Sequence, residues 1–391
     1  MKRGGEYSFW RHRDRRPEIP SVSSDPDNTE QCDCCYCMYS PKPHQTRSLP
    51  PHISPEGRSR NRIHYNSTEK DRSIFSVTSY AGQSICGVND SRRTRTNQDS
   101  LVMLEDPRTR SLVLACLDGH GTHGHIISQF FKYGLETRLL KHSLWEHDPK
   151  QAVTQLLLEL EEEICAYPRV ETKFSGTTLV LAIVRDNLLI VANVGDSRAL
   201  LGSSPASSST SLLHANATGE EPPQQLLLPI LLTSDHKPEL PQELSRILRA
   251  GGRVFPLTQE GPSACQRVWL GDEDLPGLAM SRSLGDEVAR TIGVISTPEF
   301  VERQLDHYLD CLLVLGTDGL WDYLSNEEVM QMLAVQEAEA GAGAGAVCSP
   351  GQHVRCLIEE AKRRWLEAEE CHDDITACVA TLTGRKRQKL C

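Results

Sequence analysis

The sequence predicts an α+β protein in which antiparallel sheets carry helices on their outer faces. Three observations point there. Apolar runs of strand length end in turn residues. Amphipathic stretches of helical period come in pairs. Strands and helices are grouped rather than alternated, as the βαβ units of a parallel sheet would require.

Along the chain, residues 73–80, 100–104 and 111–117 read as strands, with β-branched and apolar residues between turn signals. Residues 124–142 and 152–166 space apolar side chains three and four apart, so each predicts a helix with one buried face. Residues 177–184 and 187–194 predict a hairpin turning at Arg185-Asp186-Asn187. A strand at 227–232 follows, then a helix at 239–250 ended by Gly251-Gly252. Residues 311–316 form another apolar strand. Ser325 is placed to cap a helix whose first turn holds Glu327 and Glu328. A helix at 352–368 and a strand at 374–382 complete the order. Two segments interrupt it: a Ser-rich insert at 202–225, read as disordered, and an Ala-Gly run at 338–346, read as a surface loop.

Residues 1–72 are rich in Pro, Ser and Arg, lack either period, and read as a disordered leader. Residues 384–391 form a short basic tail. The ordered domain is therefore expected at 73–383. The formal net charge of -11 argues against general nucleic-acid binding. The opening segment has no apolar core, so no secretory signal is expected, and the 14 cysteines are expected to be reduced. No apolar run approaches the ~18 residues that span a membrane. The expected location is cytoplasmic, with nuclear or membrane association as alternatives.

Chemistry concentrates where acids stand beside glycines at strand ends. The run 112–117 leads into Asp118-Gly119-His120-Gly121. The run 312–317 leads into Asp318-Gly319-Leu320-Trp321-Asp322. The run 188–194 leads into Gly195-Asp196-Ser197-Arg198. Asp-Gly is a common turn pair, so one such end would mean little. Three acids delivered by buried strands predict an oxygen-rich site for hard divalent cations, because a buried carboxylate is costly unless paired or metal-bound.

The ordered set of segments resembles the type 2C (PPM) family of metal-dependent serine/threonine protein phosphatases, with its plant and protist members nearest in pattern. The matching segments span about residues 80–383. They are Asn97-Gln98-Asp99, Asp118-Gly119-His120-Gly121, Ser175-Gly176-Thr177-Thr178, Gly195-Asp196-Ser197-Arg198, and Asp235-His236-Lys237-Pro238. Then come residues 278–286 ending in Leu284-Gly285-Asp286, Asp318 to Asp322, and Asp373-Asp374-Ile375-Thr376. The resemblance implies a β-sandwich of two antiparallel sheets flanked by helix pairs, with the metal site at one sandwich end and a flap at about 234–286. It implies two Mg2+ or Mn2+ ions, with a weaker third site. Asp118 would bridge the pair, the Gly119 carbonyl would complete one ion, and Asp318 and Asp373 would hold the other. Asp196 and Asp322 lie at the third site, Asp99 would orient water, and His120 would be the general acid. The implied reaction is hydrolysis of phosphoserine and phosphothreonine in proteins by in-line attack of a metal-bridging water.

Departures from the pattern are local. Gln98 replaces a frequent Glu and removes one water-anchoring carboxylate. Asp374 replaces a frequent Asn. Among Arg92, Arg93 and Arg95, Arg95 is the candidate phosphate ligand. The Cys32, Cys34, Cys35 and Cys37 cluster offers no second pair at zinc-site spacing; it suits no specific role or palmitoylation, with a metal site as the third alternative. The resemblance implies a monomer that acts on phosphorylated proteins. Its rivals are a catalytically weak pseudophosphatase scaffold and a small-molecule phosphomonoesterase.

Overall fold

A strand whose residues are all buried needs a partner on both faces, and that requirement builds the layers. The computed structural model describes residues 63–66, 76–88, 95–205, 227–257, 265–342, 348–369 and 371–382. Strands β1 (Ile63–Asn66), β2 (Val77–Ile85), β3 (Ser100–Asp106), β4 (Ser111–Leu117) and β5 (Gly119–His120) come first. Helices α1 (Gly124–Arg138) and α2 (Pro149–Cys165) follow. Then come β6 (Gly176–Thr177), β7 (Leu179–Arg185), β8 (Leu188–Val194), β9 (Arg198–Ser203) and β10 (Leu228–Leu231). The flap holds the helix Pro241–Arg249, β11 (Arg253–Pro256), β12 (Gln266–Trp269) and β13 (Pro276–Leu278). The last elements are β14 (Leu284–Gly285), β15 (Glu299–Gln304), β16 (Asp310–Gly316), the late helices Asn326–Ala342 and Pro350–Glu369, and β17 (Ile375–Leu382).

Among the described residues the two large sheets run β1-β2-β17-β16-β9-β10 and β15-β8-β7-β4-β3, with antiparallel pairing throughout both, and two three-stranded sheets, β11-β12-β13 and β14-β6-β5, accompany them. Side chains alternate between faces with period two. In β4, Leu112, Leu114 and Cys116 face the other sheet and meet Leu313, Leu315, Cys378 and Ala380. Val113, Ala115 and Leu117 point the other way, onto Phe131, Leu135, Leu156 and Leu160 of α1 and α2. In β16, Leu312 and Val314 turn outward to Met330, Leu333, Leu357 and Ile358 of the late helices. The order of layers is helices, sheet, sheet, helices, as expected. Each fully buried Leu or Ile contributes about 1.5–3 kcal/mol.

Local signals agree with this packing. Asp148 caps α2 by accepting from the Gln151 amide, with Pro149 as the first helical residue. Ser325 and Glu328 form the reciprocal capping box: the Glu328 amide donates to Ser325 Oγ and the Ser325 amide to Glu328 Oε2.

Several boundaries differ from the sequence reading. Residues 63–66 lie in the supposed leader, yet they pair with β2 as an edge strand. The strand expected at 73–80 sits at Val77–Ile85. Strand β9 continues to Ser203, into the start of the supposed insert. The Ala-Gly run is helical up to Ala342, as the helix propensity of alanine allows. The cysteine cluster, most of the leader, most of the insert and the basic tail lie outside the described residues. Among those residues no helix is long and apolar enough to cross a membrane.

Candidate active site

Antiparallel register alone gathers the acids. Ser100 of β3 pairs with Leu117 of β4, so Asp99 and Asp118 project from one end of that sheet. Gly316 of β16 pairs with both Ala377 and Arg198, so Asp318, Asp373 and Asp196 project from the same end of the other. The six-residue set predicted from sequence is brought together: Asp99, Asp118, Asp196, Asp318, Asp322 and Asp373 act on one another electrostatically.

Threonines hold Asp118 and Asp99 from behind. The Asp118 amide donates to Thr178 Oγ1 at 3.0 Å, and its carbonyl accepts from the Thr178 amide at 2.9 Å. Asp99 Oδ2 accepts from Thr317 Oγ1 (2.9 Å) and Thr376 Oγ1 (2.6 Å). Gly119 sits where a Cβ would lie 2.5 Å from the carbonyl oxygens of Gln98 and Gly124, so no larger residue fits.

Burial, then the neighbouring Asp318, pushes the Asp118 carboxyl well up. Burial, then Asp322 and Asp196, does the same to Asp318. The two carboxyls are close enough to share a hydrogen bond. Burial and Asp374 push Asp99 well up. Asp322 stands exposed at the rim, yet partial loss of solvent around its carboxyl and the nearby Asp196 and Asp373 take it to about 6 although Lys237 opposes them. Such crowding is stable only with protons or cations between the acids.

Two observations fit a cation. Asp99 Oδ1 and Asp196 Oδ1 are buried without a hydrogen-bond partner, and the donor set is all oxygen, which suits magnesium or manganese. Among the described residues, no three Asp, Glu, His or Cys side chains already close on one ion position. The acids border a shared space instead of a preformed cage. Asp118, Asp318, Asp373 and the Gly119 carbonyl are the groups that could hold ions there.

One cation of the chain is already in place. Lys237 Nζ lies 2.6 Å from Asp196 Oδ2. Arg198 braces this arrangement with bonds of 2.8 and 3.1 Å to Asp235, tying the two motifs together. His236 is structural: its Nδ1 accepts from the Gly195 amide, its Nε2 faces Glu299 Oε2, and burial lowers its pKa.

His120 carries the clearest catalytic geometry. Its Nε2 is 2.6 Å from Asp286 Oδ2, which also accepts from Ser283 Oγ at 2.6 Å. Burial alone would lower the imidazole pKa, but Asp286 outweighs it and the net direction is upward. His120 Nδ1 is buried and has no partner. Asp286 was legible only as the last residue of a motif, with no role attached; its partner lies 166 positions away.

Arg95 Nη1 lies 3.3 Å from Asp373 Oδ1, with both side chains about half exposed. Gln98 does not face the acids as a carboxylate would: its Nε2 donates to the Gly121 carbonyl at 2.7 Å. Asp374 uses both oxygens on backbone amides, Gly87 at 2.6 Å and Gln98 at 2.7 Å. Asn would offer one acceptor and set an NH2 against the other amide. Asp374→Asn is therefore expected to destabilise the fold by about 1–3 kcal/mol, read as a lower midpoint in urea.

A family model described as "Protein phosphatase 2C" matches residues 80–364. Among curated proteins, "Probable protein phosphatase 2C 1" of Arabidopsis thaliana is 31% identical over 316 residues, covering 72% of this chain and 62% of that one. "Probable protein phosphatase 2C 12" of Oryza sativa subsp. japonica is 39% identical over 216 residues, covering 55% and 48%. The chain thus spans about half to two thirds of these relatives' length. Among solved structures, a serine-threonine phosphatase 2C from Toxoplasma gondii superposes with a TM-score of 0.61 at 20% identity, over 79% of this chain and 97% of that one, which shows a shared fold.

Proposed function

Because the chain belongs to the protein phosphatase 2C family, we propose that it is a divalent-metal-dependent phosphatase acting on phosphoserine and phosphothreonine in proteins. The observation that carries this reading is the half-buried pair Asp118 and Asp318, each pressed by neighbouring acids, beside a short His120–Asp286 contact. Asp118, Asp318, Asp373 and the Gly119 carbonyl would hold two magnesium or manganese ions, with Asp99 orienting water and Asp196 and Asp322 at a weaker third position. When bound, such ions lower the pKa of water and neutralise phosphoryl oxygens.

The chain's own residues supply the rest. Arg95 is half exposed beside Asp373, and its planar donor fork suits two phosphate oxygens. Asp286 accepts the Nε2 proton of His120, which leaves Nδ1, buried and without a partner, as the nitrogen with a hydrogen bond still to make. A serine or threonine alkoxide is a poor leaving group, so protonation of that oxygen is where a positioned acid gains most, typically 10²–10⁴-fold.

Two measurements test the reading. Phosphothreonine peptide and free O-phosphoserine are compared as substrates in manganese. A strong preference for the peptide is expected, and equal or reversed kcat/KM would favour a small-molecule phosphomonoesterase. Separately, manganese at 100 times its Kd should add about 2.7 kcal/mol of stability. That corresponds to a Tm rise on the order of 5–10 °C. An unchanged Tm at millimolar manganese would count against the cation assignment.

A further inference from the structure

Helix α2 buries its apolar face in the same cluster as side chains of β4 and β7, yet one turn of that face carries an acid. Glu161 is 1% exposed, set among Leu157, Leu160 and Ile164. Burying a carboxylate there costs several kcal/mol unless its partners repay it, and a leucine would satisfy the packing.

Its partners all lie between residues 285 and 296, at the end of the flap and just beyond it. Glu161 Oε1 accepts from the Gly285 amide at 3.0 Å, and Oε2 accepts from Ser296 Oγ at 2.6 Å. Arg290 Nη1 stands 3.3 Å from Oε1. Gly285 and Asp286 are consecutive residues with φ of 95° and 46°, so the chain there is a sharp left-handed turn that needs an external hold. The Asp286 amide donates to the Ser175 carbonyl at 3.1 Å, and Asp286 Oδ2 reaches His120. Glu161 thus grips the residue immediately before the acid that orients the imidazole.

We propose that Glu161 is a positioning residue, a buried clamp on the Gly285–Asp286 turn that fixes Asp286 and, through it, the His120 ring. The proposal deepens the phosphatase reading and rests on His120 as proton donor to the leaving oxygen. The carboxylate's polar contacts go to Gly285, Ser296 and Arg290, and none goes to the site acids or to His120. Its effect passes through one backbone amide, and a displacement of about 1 Å at the reacting group costs on the order of 10²-fold.

The test uses two variants of the full chain. Glu161→Gln keeps an oxygen for the Gly285 amide and a polar group for Ser296. Glu161→Leu keeps the volume and removes both bonds. A phosphothreonine peptide needs its leaving oxygen protonated, whereas p-nitrophenolate leaves without a proton. In Glu161→Leu, kcat on the peptide should fall at least about tenfold with KM nearly unchanged, while kcat on p-nitrophenyl phosphate falls less than about threefold. Glu161→Gln should stay close to wild type on both. An independent reading is the His120 Nε2 proton by nitrogen-15 histidine NMR: slow to exchange in wild type and Glu161→Gln, lost to exchange in Glu161→Leu. Equal losses on both substrates, or an Nε2 proton that persists in a folded Glu161→Leu protein, would overturn the clamp. Should wild type turn over neither substrate, the phosphatase reading fails, and the proton's exchange alone decides the positioning claim.

Discussion

Asp118→Ala is expected to lower phosphate release from a phosphothreonine peptide by at least ~10³-fold, equivalent to about 4 kcal/mol of transition-state stabilisation. The size follows from the residue's place. Asp118 is the acid most crowded by Asp318, and a cation between them would be held by both. The fold should survive. The strand that delivers Asp118 is fixed by Leu112, Leu114 and Cys116 on one face and Val113, Ala115 and Leu117 on the other. Its backbone bonds to Thr178 need no side chain of its own. Without metal, alanine also removes one carboxyl from a crowded set of acids, so the variant's Tm in EDTA should equal or exceed that of wild type. The manganese-induced rise in Tm should shrink. A variant that melts far below wild type in EDTA would mean that the acid serves the fold.

Gly176→Ala is expected to reduce kcat on the same peptide by about 10²-fold without weakening manganese binding. Strand β6 runs beside β5 and β14, pairing Gly176 with both His120 and Gly285. A Cβ on Gly176 would overlap Asp286 Oδ2 and lie 2.7 Å from the Leu284 carbonyl oxygen. Leu284 is backbone and cannot swing aside, so the Asp286 carboxylate must move off His120. Calorimetric titration with manganese checks the second half of the expectation. Loss of metal binding together with turnover would show that this turn supports the acids as well as the histidine.

The layers were legible because β4, β7, β8, β16 and β17 are buried on both sides and therefore nearly continuous in apolar residues. Strand β15 was not, since EFVERQ is an edge with mostly exposed side chains and shows no apolar period. The flap strands β11 to β13 are three or four residues long and carry too little pattern to read. Strand β1 was masked by its Pro- and Arg-rich surroundings. The Ala-Gly run misled because low complexity was weighed above the helix propensity of its alanines.

For the site, Asp118, Asp196 and Asp318 announced themselves at strand ends, Asp99, Asp322 and Asp373 came only from the family resemblance, and the structure brings all six together. The residues that support the acids and His120 were harder to see. Asp286, Lys237 and Glu161 act across 166, 41 and 124 positions of sequence, through contacts that only the packed layers create. A buried acid in the apolar face of α2 was the one local clue, and it becomes informative only once its partners are visible.

Release of phosphate from a phosphothreonine peptide by the purified full chain, followed in manganese, after EDTA, and after manganese is restored, addresses the central claim most directly. The account predicts turnover that EDTA abolishes and manganese recovers. Turnover indifferent to EDTA, or none in millimolar manganese from protein shown to be folded, would contradict it.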